Sequence, residues 1–464
     1  MRAYGRADGR PMIWKCHPGN AIQTNPDAGG APTNCYYSSR PAIGNAPWTG
    51  GIMNRTLTAA LFACALAAPA FAADPVKIGV IYPLSGNAAS AGNSAKDAVE
   101  LGVEIVNGVH PELKAIPSAG TGGLANLGGA KIELVGADHQ GNPSVGQSQT
   151  LRLITQEKVV AMLGAYHSSV ALTATATAER YGIPFLVADS VALNITQRGF
   201  KWIFRSGPIA PDFAKAYTEF LSGLKNAGRK VDAIAVVNEN TDYGTSVAAS
   251  IVEAANGIGI KVAAQIPYNA NSSDVSGQVL QLKTLQPDAV IFISYTADTI
   301  LYFKTMKSLD YLPPMIIGDD AGFSDPSFIP AVGEFAQGAM NRSAWDLGQP
   351  GSITHKINEM FKAKTGRDLD DTSARWMQGF LTLVDAINRA GSTDPAKIQK
   401  ALQDTALEPE QLMIGYRGVK FDETGQNTLS ATYLIQLQGK EYKAVWPDNR
   451  ATAKLQWPMT GWKK

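Results

Sequence analysis

The chain has 464 residues, 45% of them hydrophobic, with 41 Lys+Arg against 40 Asp+Glu and a formal charge of +1. That is enough to bury the cores of one or two large domains, and a near-neutral balance without Lys/Arg clusters argues against a nucleic-acid-binding protein. The three cysteines, Cys16, Cys35 and Cys64, all precede residue 73, so the remainder must be stabilised by burial without disulfides.

The first strong signal in chain order begins at Met53, in MNRTLTAALFACALAAPAFAADPVKIGVIYPLSG. Arg55 supplies a short positive start, Leu57 to Pro69 an apolar run, and Ala70-Phe71-Ala72 a small-x-small cleavage site, the three parts of a secretory signal. Such a signal is read at the start of a chain. Translation is therefore expected to begin at Met53, with residues 1–52 a misannotated or disordered leader and 53–72 a signal peptide. The mature chain then starts at Ala73 in the periplasm. Cys64 follows Leu61-Phe62-Ala63, a loose match to a lipid-attachment box, but Phe62 is bulky and apolar sequence continues past the cysteine, so no lipid anchor is expected. Beyond the signal no apolar run reaches the ~18 residues that a direct membrane span requires.

From residue 76 onward, short β-branched runs alternate with amphipathic helical stretches, the pattern of α/β domains with parallel sheets. Val76–Tyr82 reads as a strand ending in the turn Pro83-Leu84-Ser85-Gly86, and Ala91–Val106 has helical spacing. Lys131–Ala137 is a second strand and Ser144–Glu157 a second helix. Val159–Leu163, Pro184–Val187, Lys201–Arg205, Ala233–Val237, Lys261–Ile266, Ala289–Ser294 and Met315–Ile317 read as further strands, with helices between most of them. Gly108–Gly129, rich in Gly, Pro and Ala, breaks the rhythm and reads as a surface loop. Near the end come helices at Ala374–Ala390 and Pro395–Asp404, then strands at Val419–Asp422 and Ser430–Leu437.

The blocks 76–205 and 233–340 each read as a doubly wound unit, with Gly207-Pro208-Ile209-Ala210-Pro211 between them. The expected fold is α/β, two doubly wound Rossmann-like lobes joined by a multi-strand hinge. Lobe 1 comprises 73–207 and 343–417, lobe 2 comprises 208–342 and 418–446, and 447–464 is a tail. Such lobes hold a ligand between them at the carboxyl ends of the strands.

Enzyme and cofactor signatures are scarce. There is no nucleophile elbow, phosphate-binding Gly/Lys loop, His-Glu-x-x-His or EF-hand pattern. Gly120-x-Gly122-x-x-Ala125 mimics a dinucleotide fingerprint but sits inside the irregular loop instead of after a strand, so no cofactor is expected. His110, His139, His167 and His355 are not spaced as metal ligands. Small hydroxyl, aromatic and acidic residues collect at strand ends instead. Ala165-Tyr166-His167-Ser168-Ser169 follows VVAMLG and precedes a helix, whose free N–H groups suit a carboxylate. Ser168 alone reads equally well as a helix N-cap. Ser190 follows PFLV, Tyr243 closes a turn after AIAVVNENTD, Tyr295 ends VIFIS, and Asp319-Asp320 end MIIG.

In KIGVIYPLSG, the GAYHSS loop, LNITQRGFKWIFRSGP, the Asn-Glu-Asn-Thr-Asp-Tyr-Gly turn and IIGDDAGFSDP, in this order and spacing, the chain resembles the leucine/isoleucine/valine-binding proteins of bacterial ABC transporters, the type I periplasmic binding proteins. The resemblance covers essentially all of 76–446. It implies a ligand carboxylate held by Ser168, with Ser169 beside it, and by Ser190. It also implies aromatic contacts from Tyr243 and Tyr295, and an α-ammonium paired with Asp320, or alternatively Asp319. It departs from the pattern where Val191-Ala192 follow Ser190 and where small residues stand at Ala89–Gly92. The implied function is a receptor that closes over an amino acid, of branched-chain type, and serves a membrane permease and its ATPase. An aromatic acid or other small carboxylate is the alternative ligand. A secreted hydrolase using Ser168 or Ser190 near His167 is the alternative from another class.

Overall fold

The computed structural model describes residues 2–7, 10–15, 73–319 and 321–460, so the signal segment, Cys64 and Asp320 lie outside the described residues. The chain forms two compact units, Met1–Ala70 and Phe71–Lys464. In the first, Arg2–Ala7 and Arg10–Lys15 pair as an antiparallel ribbon, a regular element that the leader reading did not include. Among the described residues no helix is long and apolar enough to cross a membrane.

The second unit contains two parallel-cored sheets. In chain order, β1 (Val76–Tyr82), α1 (Ala89–Asn107), β2 (Ile132–Asp138), α2 (Pro143–Thr155), β3 (Ala161–Gly164), α3 (Ser168–Tyr181), β4 (Phe185–Val187) and β5 (Ile203–Arg205) build the first. Its strands run in the order β2-β1-β3-β4-β5, all parallel. Then α4 (Ala210–Asn226), β6 (Ala233–Glu239), α5 (Asp242–Gly257), β7 (Lys261–Tyr268), α6 (Ser276–Leu285), β8 (Ala289–Ile293), α7 (Thr296–Ser308) and β9 (Ile316–Asp319) lead to α8 (Ala321–Ser324), α9 (Phe328–Val332) and β10 (Met340–Ser343). The chain returns to the first lobe through α10 (Ile353–Thr365), α11 (Asp371–Ala390) and α12 (Pro395–Gln403), makes the short pair β11 (Ala406–Leu407) and β12 (Val419–Lys420), and ends in β13 (Tyr433–Gln438) and β14 (Glu441–Trp446). The second sheet has the order β14-β13-β10-β9-β8-β6-β7, antiparallel only where β13 and β14 join it.

The strands form where the apolar runs are because both faces of each sheet are covered. Ile78, Val80 and Tyr82 of β1 share one core with α1 and α11, while Ile81 belongs to the core on the other face with α2 and α3. A fully buried side chain of this size contributes about 1.5–3 kcal/mol. Most expected strands stand within two residues of their predicted ends, but β10, β11 and β14 were not expected. β10 reads MNRS and lacks an apolar signature, since Asn341, Arg342 and Ser343 are buried through polar contacts.

Gly108–Gly129 is not a loose surface loop. Two short 3-10 turns, Pro111–Leu113 and Ala125–Leu127, fold it, and Leu113, Ile116, Ala119 and Leu124 are buried in the core. The Asn126 N–H donates to Asn388 Oδ1 at 3.0 Å, tying the segment to α11. The C-terminal segment also packs back, with Gln436 and Gln456 exchanging reciprocal amide hydrogen bonds at 2.9 and 2.8 Å.

The connections between the lobes lie side by side. Arg205 N donates to Gly425 O at 2.8 Å, Asn427 N to Arg205 O at 3.0 Å, and Gly415 N to Ala344 O at 2.8 Å.

Candidate binding cleft

The carboxyl ends of both parallel sheets face one cleft, and the turns that follow the strands supply its walls. At the end of β6, Glu239 accepts hydrogen bonds from Thr241 N and Gly244 N, both at 2.6 Å, and so folds the turn that starts α5. Gly244 is required there, because a Cβ would stand 2.1 Å from Glu239 O. The turn aims Tyr243 inward, where its ring lies 5.2 Å from Tyr295. Tyr295 ends the turn after β8 and lies 5.5 Å from Tyr166 and 4.8 Å from His167 of the opposite lobe.

Hydrogen bonds between side chains and turns span the cleft. Asn87 Nδ2 donates to Asn271 Oδ1 at 2.5 Å, Ser90 Oγ to Asp325 Oδ1 at 2.9 Å, and Leu193 N to Ser246 Oγ at 3.1 Å. With the ring contacts they hold the lobes together over a cavity of roughly 290 Å³, near the lower end of small-molecule sites. Ser85, Asn87, Gln140, His167, Ser169 and Tyr295 are among its lining residues.

The predicted residues gather here, though not all with free hydroxyls. Ser169 and Tyr295 line the cavity. Ser168 is the first residue of α3, with His167 in the cap position, so Ser168 is not the N-cap. It is buried and its Oγ accepts from Ala192 N at 3.3 Å. Ser190 is buried too, and its hydroxyl donates to Ala165 O at 2.7 Å and Tyr166 O at 3.1 Å. Tyr243 and Asp319 meet directly: the phenol donates to Asp319 Oδ1 at 2.9 Å, while Tyr217 donates to Oδ2 at 2.6 Å. Asp320 lies outside the described residues.

Sequence reasoning missed a chain of buried charges at the cleft floor. Asp189 pairs with Arg375, whose Nε lies 3.1 Å from Asp371 Oδ2. The same Asp371 oxygen is 3.0 Å from Arg342 Nη1, and Arg342 Nε is 3.4 Å from Asp319. The chain runs from the end of β4 through α11 to β10 and β9, joining both lobes. Buried pairs are seldom a net gain in stability, but breaking one is costly, so the network holds a specific geometry. One signal was legible. Asp370 and Ser373 form a capping box, with Ser373 N to Asp370 Oδ1 at 2.8 Å and Asp370 N to Ser373 Oγ at 2.9 Å. It starts α11 three residues before the expected Ala374 and places Asp371 and Arg375 one turn apart on the helix.

A sequence model of the family described as "Periplasmic binding protein" matches residues 75–441. A curated relative, "Leu/Ile/Val-binding protein homolog 7" of Brucella suis, is 30% identical over 425 residues, spanning 88% of this chain and 100% of its own length. Two solved structures share the fold. The substrate-binding protein of a branched-chain amino acid transporter from Streptococcus pneumoniae, in complex with isoleucine, has a TM-score of 0.68 at 20% identity and covers 81% of this chain and 100% of its own. A solute-binding protein of an ABC transporter from Rhodopseudomonas palustris, in complex with 3,4-dihydroxybenzoic acid, has a TM-score of 0.66 at 19% identity and covers 80% of this chain and 95% of its own.

Proposed function

Because the chain belongs to the periplasmic binding protein family, we propose that it is the exported receptor of an ABC importer and closes its two lobes over an amino acid of branched-chain type. The observation that carries this reading is the closed cleft itself, where Tyr166 and His167 of one lobe pack against Tyr295 of the other above a cavity of roughly 290 Å³. Ligand contacts in both lobes give the differential affinity that favours the closed state. In this reading the carboxylate rests on the N-terminal turn of α3 at Ser168 and Ser169 and near Ser190, the ammonium meets Asp320, and Tyr243 and Tyr295 enclose the rest. The partners are a permease and its ATPase. Export places the chain in the periplasm, with cleavage behind Ala72.

The relative bound to 3,4-dihydroxybenzoic acid raises the aromatic-acid alternative. The buried charges weigh against it, since among the described residues the carboxylates Asp189, Asp371 and Asp319 pair with the two guanidiniums of Arg375 and Arg342. A floor with surplus negative charge suits a ligand with a cationic end better than a bare acid. The hydrolase alternative has less support, because the hydroxyls of Ser168 and Ser190 are engaged with backbone groups.

A thermal-shift screen of the chain from Ala73 against the amino acids and a panel of aromatic acids tests the reading, since a ligand of the folded state raises the transition temperature. Leucine, isoleucine or valine should give the largest shift. A shift with aromatic acids alone overturns the amino-acid assignment.

A further inference from the structure

The cleft wall facing Tyr295 is an imidazole. His167 occupies the cap position of α3 without capping it, and its ring reaches the cavity. It lies 4.8 Å from the Tyr295 ring of the other lobe and 5.1 Å, edge-on, from Tyr166. A second imidazole, His139, meets it edge-on at 5.4 Å. Gly141 makes room for the ring. Its φ of +68° is left-handed, and a Cβ there would sit 3.3 Å from two atoms of His167. His167 Nδ1 is buried without a hydrogen-bond partner among the described residues, as is His139 Nε2. His139 Nδ1 accepts from Gly141 N at 3.1 Å.

Little around this pair would welcome a positive charge. Tyr166 and Tyr295 are phenols, and Gln140, Thr241 and Asn271 on the same cavity are uncharged. Asp138 precedes His139, but its carboxylate is turned to Leu84 N and Ser85 Oγ, at 2.9 and 2.5 Å. Asp298 stands one helical turn behind Tyr295 in the other lobe, held by Tyr268 and Asn271 N at 3.2 Å each. Burial holds both imidazoles well below the ordinary histidine value, at about 4 for His139 and about 3 for His167, where the neighbouring imidazole adds to the effect.

We propose that His167 is a ligand-contacting residue of the cleft that serves only as a neutral imidazole, so that closure over the ligand releases its proton to bulk water. The inference rests on the amino-acid reading above. When the lobes part, Tyr295 leaves His167 and the ring returns to water. The closed state then has the lower pKa, so closure is at full strength above about pH 6.5 and is lost progressively as the pH falls below it. An imidazole that titrates near about 6.5 when open and far lower when closed makes affinity fall roughly eightfold between about pH 7 and 5.5. Asp298 takes its hydrogen bonds from Tyr268 and Asn271 N of its own lobe, and the His167→Asn comparison separates its contribution from that of the imidazole.

Titration calorimetry of the chain from Ala73 with L-leucine, at pH 7.0, 6.0 and 5.5, tests this. Leucine stays a zwitterion across the range. The expected result is an approximately eightfold weaker Kd at pH 5.5, proton release on binding at pH 6.0, and a slope reduced below about twofold in His167→Asn. Heat at pH 7.0 with an unchanged Kd at pH 5.5, or the full slope retained in His167→Asn, overturns the role of His167 alone. No heat at pH 7.0 with leucine, isoleucine or valine overturns both readings. If His167→Asn does not fold, the imidazole is followed by NMR in the leucine-bound native chain. A ring that stays neutral below pH 5 supports the proposal, and one that titrates near 6.5 overturns it.

Discussion

The Tyr243 hydroxyl donates to the Asp319 carboxylate at 2.9 Å, and Tyr217 and Arg342 complete the grip on that carboxylate at 2.6 and 3.4 Å. Asp319 is fully buried at the end of β9. It therefore joins α4, α5 and β10, and its oxygens are already occupied by the protein. In the proposed reading the ligand ammonium falls to Asp320.

Asp319→Asn should lower stability while Asp320→Asn should lower affinity. A hydrogen bond to a charged group is worth about 1.5–3 kcal/mol, and Asp319 has several, so its variant should lose on the order of 2–3 kcal/mol in urea unfolding. Asp320→Asn should unfold normally yet bind leucine more than about tenfold more weakly. The reverse pattern would exchange the two roles.

Tyr295→Ala should weaken leucine binding without unfolding the chain. Aromatic pairs are worth about 0.5–1.5 kcal/mol each beyond burial. Tyr295 makes two across the cleft, with Tyr166 and His167. The loss should be about 1–3 kcal/mol, or roughly 5- to 150-fold in Kd, seen chiefly as faster release in stopped-flow fluorescence. An unchanged release rate would remove Tyr295 from the closure contacts.

Asp371→Ala should be strongly destabilising. Its carboxylate accepts from Ala344 N at 2.7 Å and Ser343 Oγ at 3.2 Å and pairs with Arg342 and Arg375. Removal leaves two buried guanidiniums short of a partner, a loss of about 3–5 kcal/mol. Urea unfolding measures it, and a change under about 1 kcal/mol would mean that the network does not hold the lobes in this geometry.

Asp298→Asn should make stability rise more steeply with pH between about pH 4 and 6. Burial pushes Asp298 up to about 6, against hydrogen bonds from Tyr268 and Asn271 N, with Glu239 adding repulsion. At Asp298 the folded state thus binds a proton more tightly than the unfolded state between about pH 4 and 6, so this group's contribution to stability falls as pH rises through that window, while His139 and His167, held below the ordinary histidine value, contribute in the opposite sense. Two pKa units correspond to about 3 kcal/mol. The variant should lose this opposing contribution, so its stability should climb more steeply than the native chain's across that window, and it should be no less stable at pH 7. An unaltered slope between pH 4.5 and 6.5 in urea unfolding would refute the assignment. Glu239, raised for the same reason, opposes the histidines in the same sense as Asp298.

The α/β architecture with two doubly wound lobes was legible because buried parallel strands must be β-branched and apolar on both faces, as in VKIGVIY and AVIFI. The positions of Ser168, Ser169, Ser190, Tyr243, Tyr295 and Asp319 at strand ends follow from the same rhythm, since a strand that stops fixes where its turn begins. Local pattern also carried a false signal. The Gly- and Pro-rich stretch 108–129 looked loose, but Leu113, Ile116 and Leu124 found a core made by distant helices.

What only the tertiary structure decided is which polar groups are already used. Ser190 and Asp319 stand where a ligand residue would stand, yet their hydrogen bonds go to the protein, from partners 24 to 102 residues away in sequence. Arg342 on one side and Asp371 with Arg375 on the other sit in two separate stretches of ordinary composition and become one network only when β10 meets α11. Periodicity reports which face of an element is apolar. It carries no information on which buried charge will meet which, because that depends on how two lobes pack around a cleft.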